Sequence, residues 1–300
     1  MNSAEPRIRY LETTGSCNLN CPICVERYRN FHMAQHDFLA VAEANADIFR
    51  NEWAWFDFNG EPLMDPLFFD RVRYMIDNLD MQVRISTNGL LLTEENCRRL
   101  VEVGISYLVI SVITLNRQHY RDLRGVDELE QVLENIKRMK RIADEVGSSM
   151  LMQAVAIDTG ENNLEEFLTY FHDMGMLVGV HQFTHRAHRV RKAYDVRHPD
   201  IPRRGICLGR EQNIGILCNC DVITCCCDFQ GRNTLGNLKD YHYSVQELLT
   251  NGALDRMLRN QARGIFTGAC ADCDDWIYFQ KDSREKYVTV YAPGKHLGGV

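Results

Sequence analysis

The chain has 300 residues, 45% of them hydrophobic, with 12 cysteines and a formal net charge of −7. That apolar content suffices for a large core, expected as one barrel-like domain with a small appendage, and the acidic balance argues against nucleic acid and fits a small polar substrate, cationic or neutral. No run of about eighteen apolar residues is available to cross a membrane, and the opening MNSAEPRIRY lacks the apolar stretch of a secretory signal. The expected location is therefore the cytoplasm, where thiols stay reduced and twelve cysteines point to metal or redox chemistry rather than to disulfides.

In chain order, a first short strand is expected over Ile8–Thr14, followed directly by Cys17, Cys21 and Cys24. Three thiolates this close can hold three irons of a [4Fe–4S] cube and leave the fourth iron open to an exchangeable small molecule. A structural zinc knuckle wants four ligands, and His32 stands at no standard spacing for the fourth; zinc and ordinary buried thiols are the alternatives. Then helix and strand alternate: a helix at 37–51, a strand over Trp53–Phe58, a helix at 67–79, a strand over Gln82–Ser86, a helix at 93–103 and a strand over Tyr107–Val112. A helix at 127–146, with Leu129, Val132, Leu133, Ile136 and Met139 at helical spacing, precedes a strand over Ser149–Ile157, a helix at 163–173 and a strand over Leu177–Phe183. Strands separated by helices imply right-handed βαβ units and a parallel sheet. Six such units predict an α/β fold, a partial (β/α)6 barrel with its chemistry at the strand C-terminal ends, where the cysteine triplet falls.

The segment at 184–204 is rich in Arg and His and is expected as a basic linker over 186–204. Beyond it come Cys207, a hairpin-like stretch at Ile214–Thr224, Cys225, a Gly236-Asn237 turn, a helix near 244–258, and Cys270-x2-Cys273. Four thiolates so arranged can close the coordination of a second [4Fe–4S] cluster or of a zinc ion. The tail past Trp276 offers one strand-like alternation around Tyr287–Tyr291.

The triplet, with the turns that end the next strands, resembles the radical S-adenosylmethionine (radical SAM) superfamily. The resemblance implies that SAM binds the open iron through its amino and carboxylate groups and is cleaved to a 5′-deoxyadenosyl radical. It implies SAM contacts from Asn59, Gly60, Glu61 and Pro62, where Asn59 replaces a usual glycine, from Ser86 and Asn88, and from Ser111 and Arg124. Ile23 stands where an aromatic residue usually covers the adenine. The second block is similar to the family's twitch unit, the short form of the SPASM appendage, and implies one auxiliary cluster on Cys207, Cys225, Cys270 and Cys273. The expected layout is a barrel over 1–185, the linker over 186–204, and a twitch unit with tail over 205–300.

Five cysteines remain. Cys97 lies within a helix and is expected to be inert; Cys218 and Cys220 in the hairpin should face one way by strand alternation. Cys226 and Cys227 follow a cluster ligand, so one of them, Cys227 before Cys226, is a candidate hydrogen donor to a substrate radical; the alternative is a pair of small buried hydrophobes. Twitch enzymes of the epimerase and dehydrogenase kinds tailor aminoglycosides or their cyclitol precursors, and the resemblance implies a substrate of that class. The expected activity is therefore epimerisation of a carbinol carbon of an aminoglycoside-like sugar, with dehydrogenation of a similar substrate as the alternative. Peptide modification is disfavoured by the absence of room for a leader-binding domain before residue 8, and a non-catalytic iron–sulfur redox protein remains a different class. An external electron donor such as flavodoxin or ferredoxin is implied.

Overall fold

Apolar strands alternating with amphipathic helices cover one another only if the strands form a shared sheet with helices laid against it. In the computed structural model, which describes residues 7–25, 31–183, 206–207, 214–271, 273, 275–276, 288–293 and 295–299, that sheet begins with β1 (Ile8–Leu11), β2 (Trp53–Trp55), β3 (Gln82–Thr87), β4 (Tyr107–Ile113), β5 (Leu151–Asp158) and β6 (Leu177–Gln182). Each pairs in parallel with the next. Between them run α1 (Gln35–Ala44), α2 (Ala46–Phe49), α3 (Phe68–Leu79), α4 (Glu94–Val103), α5 (Arg117–Arg124), α6 (Leu129–Glu145) and α7 (Leu164–Asp173).

The sheet is mixed and open. β7 (Ile214–Ile216) lies parallel to β1 and antiparallel to β8 (Asp221–Ile223), which pairs with β9 (Gly236–Asn237). At the other edge β10 (Val288–Ala292) runs antiparallel to β6, with β11 (Lys295–Gly299) outside it. The C-terminal third thus extends both edges of the six-stranded partial barrel instead of closing it. Among the described residues no helix is long and apolar enough to cross a membrane. The expected basic linker lies outside the described residues.

Strand alternation divides the two faces. Ala54, Phe56, Val83, Ile85, Leu108, Ile110, Ala154 and Val178 are buried against Phe38, Val72, Leu100, Ile136 and Phe171 of the helical layer. The opposite face, the inside of the partial barrel, carries Trp53 and Trp55, Arg84, Tyr107 and Gln153. Arg84 lies 4.0 Å over Trp53, the Trp55 and Tyr107 rings are 5.9 Å apart, and the Tyr107 hydroxyl hydrogen-bonds Gln153.

Four elements differ from the sequence expectation. The helix expected at 37–51 breaks at Asn45, whose buried side chain donates to Val41 O and Tyr243 O and accepts from Val245 N; a side chain hydrogen-bonded across 198 residues competes with helix continuity. The helix near 244–258 is two, α8 (Val245–Leu249) and α9 (Ala253–Ala262), parted by Gly252 at φ 69. Helix α5 was absent from the expectation because RQHYRDLR offers only Tyr120 and Leu123 to an apolar stripe; it starts on the Asn116 cap and ends at Gly125, φ 76. Cys218 and Cys220 lie in the turn between β7 and β8, not in strands, so they do not share a face: Cys218 sits against Glu12, and Cys220, at φ 71, faces Asp37 and Lys239.

Candidate functional site

After β1 the chain leaves the sheet through Glu12–Ser16 and forms the triplet loop. Its return is pinned by Met33 N to Thr13 O at 2.9 Å, Gly15 N to Phe31 O at 2.9 Å, and Thr14 Oγ1 to His32 Nδ1 at 2.9 Å; His32 therefore serves the loop. Fully buried Arg71 of α3 clamps the same segment by donating to Asp65 Oδ2 at 2.8 Å, Gln35 Oε1 at 3.0 Å and Met33 O. Breaking such a buried pair costs about 3–5 kcal/mol. Within the loop Cys24 N donates to Cys21 O at 3.0 Å.

Cys21 is buried, and Cys17 and Cys24 are half-buried against Leu19, Ile23, Ile113, Leu123 and Phe183. Arg124, delivered by the last turn of α5, donates Nη1 to Cys21 Sγ at 3.6 Å and Nη2 to Ser111 O, and its Nε is buried without a partner. Burial works against its charge, but the Cys21 and Tyr120 side chains outweigh that and raise its pKa. Asn88, at the end of β3, donates to Asn18 Oδ1 at 2.7 Å and reaches Cys17 Sγ at 3.9 Å. Three thiols in an apolar enclosure, with a guanidinium on the innermost sulfur and one N–H left over, fit an anionic iron–sulfur group.

The turn after β2 approaches this loop more closely than any side chain would permit. A Cβ on Gly60 would stand 2.1 Å from Thr14 O and 2.8 Å from Ser16 O, both main chain, and Glu61 N donates to Ser16 O at 2.7 Å. Pro62 opens the short 3-10 turn Pro62–Met64, where its fixed φ suits a helical first position. Glu61, buried, accepts from Thr87 Oγ1 and Asn88 N, both at 2.8 Å. Its carboxylate thus fastens the β2 turn to the β3 terminus; burial raises its pKa, and the Asn88 amide works against the rise. Asn59 donates its side-chain amide to Phe229 O at 3.0 Å, toward the C-terminal segment. The Ser86 main-chain amide bonds the Asp57 carboxyl, and the Ser111 carbonyl is taken by Arg124.

Glu12 and Asp57 were not among the sequence candidates. Glu12, buried at the end of β1, accepts from Asn59 N at 2.9 Å and Cys218 N at 3.1 Å, so one carboxylate joins β1, the β2 turn and the β7–β8 turn; burial raises its pKa. The pKa of Asp57 is pushed well up, first by burial and then by Glu61. The alternation Trp53, Trp55, Asp57 is the sequence signal that placed it on the inner face.

The second cysteine block is built on a turn after β8. Asp228 N donates to Cys225 O at 3.1 Å, and the buried Asp228 carboxylate accepts from Arg232 N at 2.9 Å and Asn233 N at 2.8 Å. Cys227 N donates to Cys225 Sγ at 3.4 Å. The thiols of Cys226 and Cys227 are pushed well up, first by hydrogen bonding with Cys225, and Cys207 acts on Cys226 as well. Gln261, 1% exposed, accepts from Cys207 N at 3.1 Å and donates to Cys270 Sγ at 3.7 Å, and the Asn233 amide lies 3.0 Å from the same sulfur. Cys207, Cys225 and Cys270 share one neighbourhood, with half-buried Cys273 three positions on. Among the described residues no three His, Cys, Asp or Glu side chains are gathered around a single-ion position; a four-iron cube instead takes each thiolate at a separate iron. Cys97 and Cys220 are buried thiols whose pKa values burial pushes up to about 11 and about 12.

The two sites meet at the β2 turn. Phe229 stacks on Phe58 at 4.8 Å and 21°, Tyr10 meets Phe58 edge-on at 5.4 Å, and Asn59 holds Phe229 O. The Cys225–Phe229 turn is therefore docked beside the Gly60-Glu61 motif. Residues 11–193 match the family model described as the radical SAM superfamily. The chain belongs to the radical SAM superfamily. Among curated relatives it is 32% identical over 127 residues to an uncharacterised protein of Methanocaldococcus jannaschii, 42% of this chain and 41% of that one; the matched part is about half the length of the first curated relatives. Its fold is similar to BtrN in complex with AdoMet and 2-DOIA, with TM-score 0.63, 16% identity, and coverage of 94% of this chain and 98% of that chain. It is also similar to Streptococcus suis SuiB bound to precursor peptide SuiA, with TM-score 0.65, 14% identity, and coverage of 89% and 69%.

Proposed function

We propose that this radical SAM protein is an epimerase that inverts a carbinol carbon of an aminoglycoside or related amino sugar, with a twitch-type C-terminal unit whose Cys207, Cys225, Cys270 and Cys273 hold an auxiliary [4Fe–4S] cluster. The observation that carries this reading is the docking of the Cys225–Phe229 turn on Phe58 and Asn59, which sets the segment carrying Cys226 and Cys227 beside the turn that follows β2. When bound, the cluster and SAM supply a 5′-deoxyadenosyl radical that removes a hydrogen atom from substrate. Cys17, Cys21 and Cys24 would hold that cluster; Arg124 would balance its charge; Asn59, Gly60, Glu61, Pro62, Ser86, Asn88, Ser111 and Arg124 would shape the SAM face. Cys227, or Cys226 beside it, returns a hydrogen atom from S–H to the opposite face of the carbon, and an external donor of the flavodoxin or ferredoxin class restores the thiol with an electron and a proton.

The likeness to BtrN in complex with AdoMet and 2-DOIA supports the substrate class, and the acidic balance suits a polyamine. Dehydrogenation is the second reading, favoured by the same proximity: a cluster beside the substrate can also accept an electron. Turnover in deuterated water separates the two, because a thiol exchanges its hydrogen with solvent. Deuterium at an inverted carbon, lost in Cys227→Ala, is the expected result; an unlabelled ketone overturns the epimerase reading.

A further inference from the structure

Helix α9 buries one residue, and that residue is polar. Gln261 is 1% exposed, whereas Leu254 and Met257 of the same helix are only partly buried. A carboxamide taken out of water costs stability unless its groups are hydrogen-bonded, so the partners of Gln261 say what it is there for.

Both partners belong to the second cysteine block. Oε1 accepts from Cys207 N at 3.1 Å, and Nε2 donates to Cys270 Sγ at 3.7 Å. The Cys207 main-chain amide can only donate, so it fixes which end of the carboxamide is the oxygen and leaves the N–H end on the sulfur. Cys270 is 2% exposed, and a hydrogen bond to a sulfur so enclosed is stronger than one in water. Donor and sulfur stand on separate, well-fixed elements. Gln261 is in the last turn of α9, and Cys270 ends the short 3-10 turn Gly268–Cys270. That turn is pressed on the 232–233 segment: a Cβ on Gly268, at φ 57, would stand 2.7 Å from Arg232 O. The Arg232 and Asn233 amides are held in turn by the Asp228 carboxylate.

We propose that Gln261 tunes the auxiliary cluster: its Nε2 donates to the Cys270 sulfur and raises the reduction potential of the group that Cys270 holds, while its Oε1 keeps Cys207 in place. This rests on the auxiliary-cluster reading above and adds to it a positioning residue that acts through Cys270. One electron from the external donor adds negative charge that the ligating sulfurs share. An N–H aimed at one of those sulfurs stabilises that charge and so favours reduction.

The test is a spectroscopic redox titration with dithionite of the full chain carrying Cys17→Ala, Cys21→Ala and Cys24→Ala together, reconstituted anaerobically, so that only the C-terminal site is read. Gln261→Leu removes the donor without adding charge, and Gln261→Glu keeps an acceptor for Cys207 N but turns a carboxylate oxygen to the sulfur. Each is expected to make reduction at least about tenfold less favourable, a fall of about 59 mV for one electron. Resonance Raman bands of the iron–sulfur stretches are expected to shift in deuterated water, and to shift less in Gln261→Glu, which decides the matter if Gln261→Leu loads no iron. An unchanged potential in loaded Gln261→Leu, or a deuterium shift that is absent or equal in Gln261→Glu, overturns the assignment alone. A triple-alanine protein that assembles no iron–sulfur cluster overturns the auxiliary-cluster reading and this one with it.

Discussion

Gly60→Ala puts a methyl group where two carbonyl oxygens already stand. The added Cβ would lie 2.1 Å from Thr14 O and 2.8 Å from Ser16 O, against a comfortable carbon–oxygen separation of about 3.3 Å, so main chain must part by about 1 Å. Neither oxygen can rotate away, and Glu61 N loses its 2.7 Å bond to Ser16 O. Overpacking of this kind costs about 1–3 kcal/mol and the broken buried hydrogen bond about 1–3 kcal/mol more. The expected loss is about 2–6 kcal/mol, a large part of the roughly 5–15 kcal/mol that holds a domain folded. A displacement of about 1 Å in the triplet loop should also lower 5′-deoxyadenosine formation by about 100-fold. Anaerobic denaturant unfolding and single-turnover SAM cleavage measure the two effects. Gly147→Ala is the control: nothing lies within 4 Å of its Cβ, and only its φ of 65 is strained, so about 1–2 kcal/mol should be lost with SAM cleavage intact. A Gly60→Ala protein within about 0.5 kcal/mol of the parent, cleaving SAM at the parent rate, would refute the close-approach argument.

Arg124→Lys keeps the charge but cannot serve both Cys21 Sγ and Ser111 O; SAM cleavage should fall about 10- to 100-fold, with an altered cluster spectrum by electron paramagnetic resonance. Glu12→Gln turns an oxygen that accepts from Asn59 N or Cys218 N into a donor, and should cost about 1–3 kcal/mol by denaturant unfolding. Glu12, Asp57 and Glu61 all have pKa values raised by burial. Their contribution to stability is complete below the ordinary carboxylate range and is lost as pH rises through the raised values, so unfolding should come at lower denaturant at about pH 8 than at about pH 5.5. Asp57→Asn should flatten that slope. Asp37, whose pKa is lowered because hydrogen bonds from Lys239 and Tyr243 outweigh the burial that raises it, acts only at more acidic pH and leaves this window alone.

The βαβ alternation and the triplet were legible because each is a local pattern: strand and helix periods repeat within a dozen residues, and Cys17, Cys21 and Cys24 are nearly contiguous. What Glu61 does was not legible, because Thr87 and Asn88 lie 26 and 27 residues away and face it only once β3 is paired. The bridge from Cys207 to Cys270 through Gln261 spans 54 residues on one side and 9 on the other, and no spacing rule includes a glutamine. Cys218 and Cys220 straddle the β7–β8 turn, where strand alternation does not hold. Helix α5 is too polar to show an apolar stripe in the sequence, although it delivers Arg124 to the innermost cysteine.

The most direct test of the account is 5′-deoxyadenosine formation by the anaerobically reconstituted, reduced protein given SAM, compared with Cys17→Ala, Cys21→Ala and Cys24→Ala. The account predicts SAM cleavage in the parent and none in any of the three variants. Cleavage at the parent rate in one of those variants, or its absence from a parent protein that carries its full complement of iron, would contradict it.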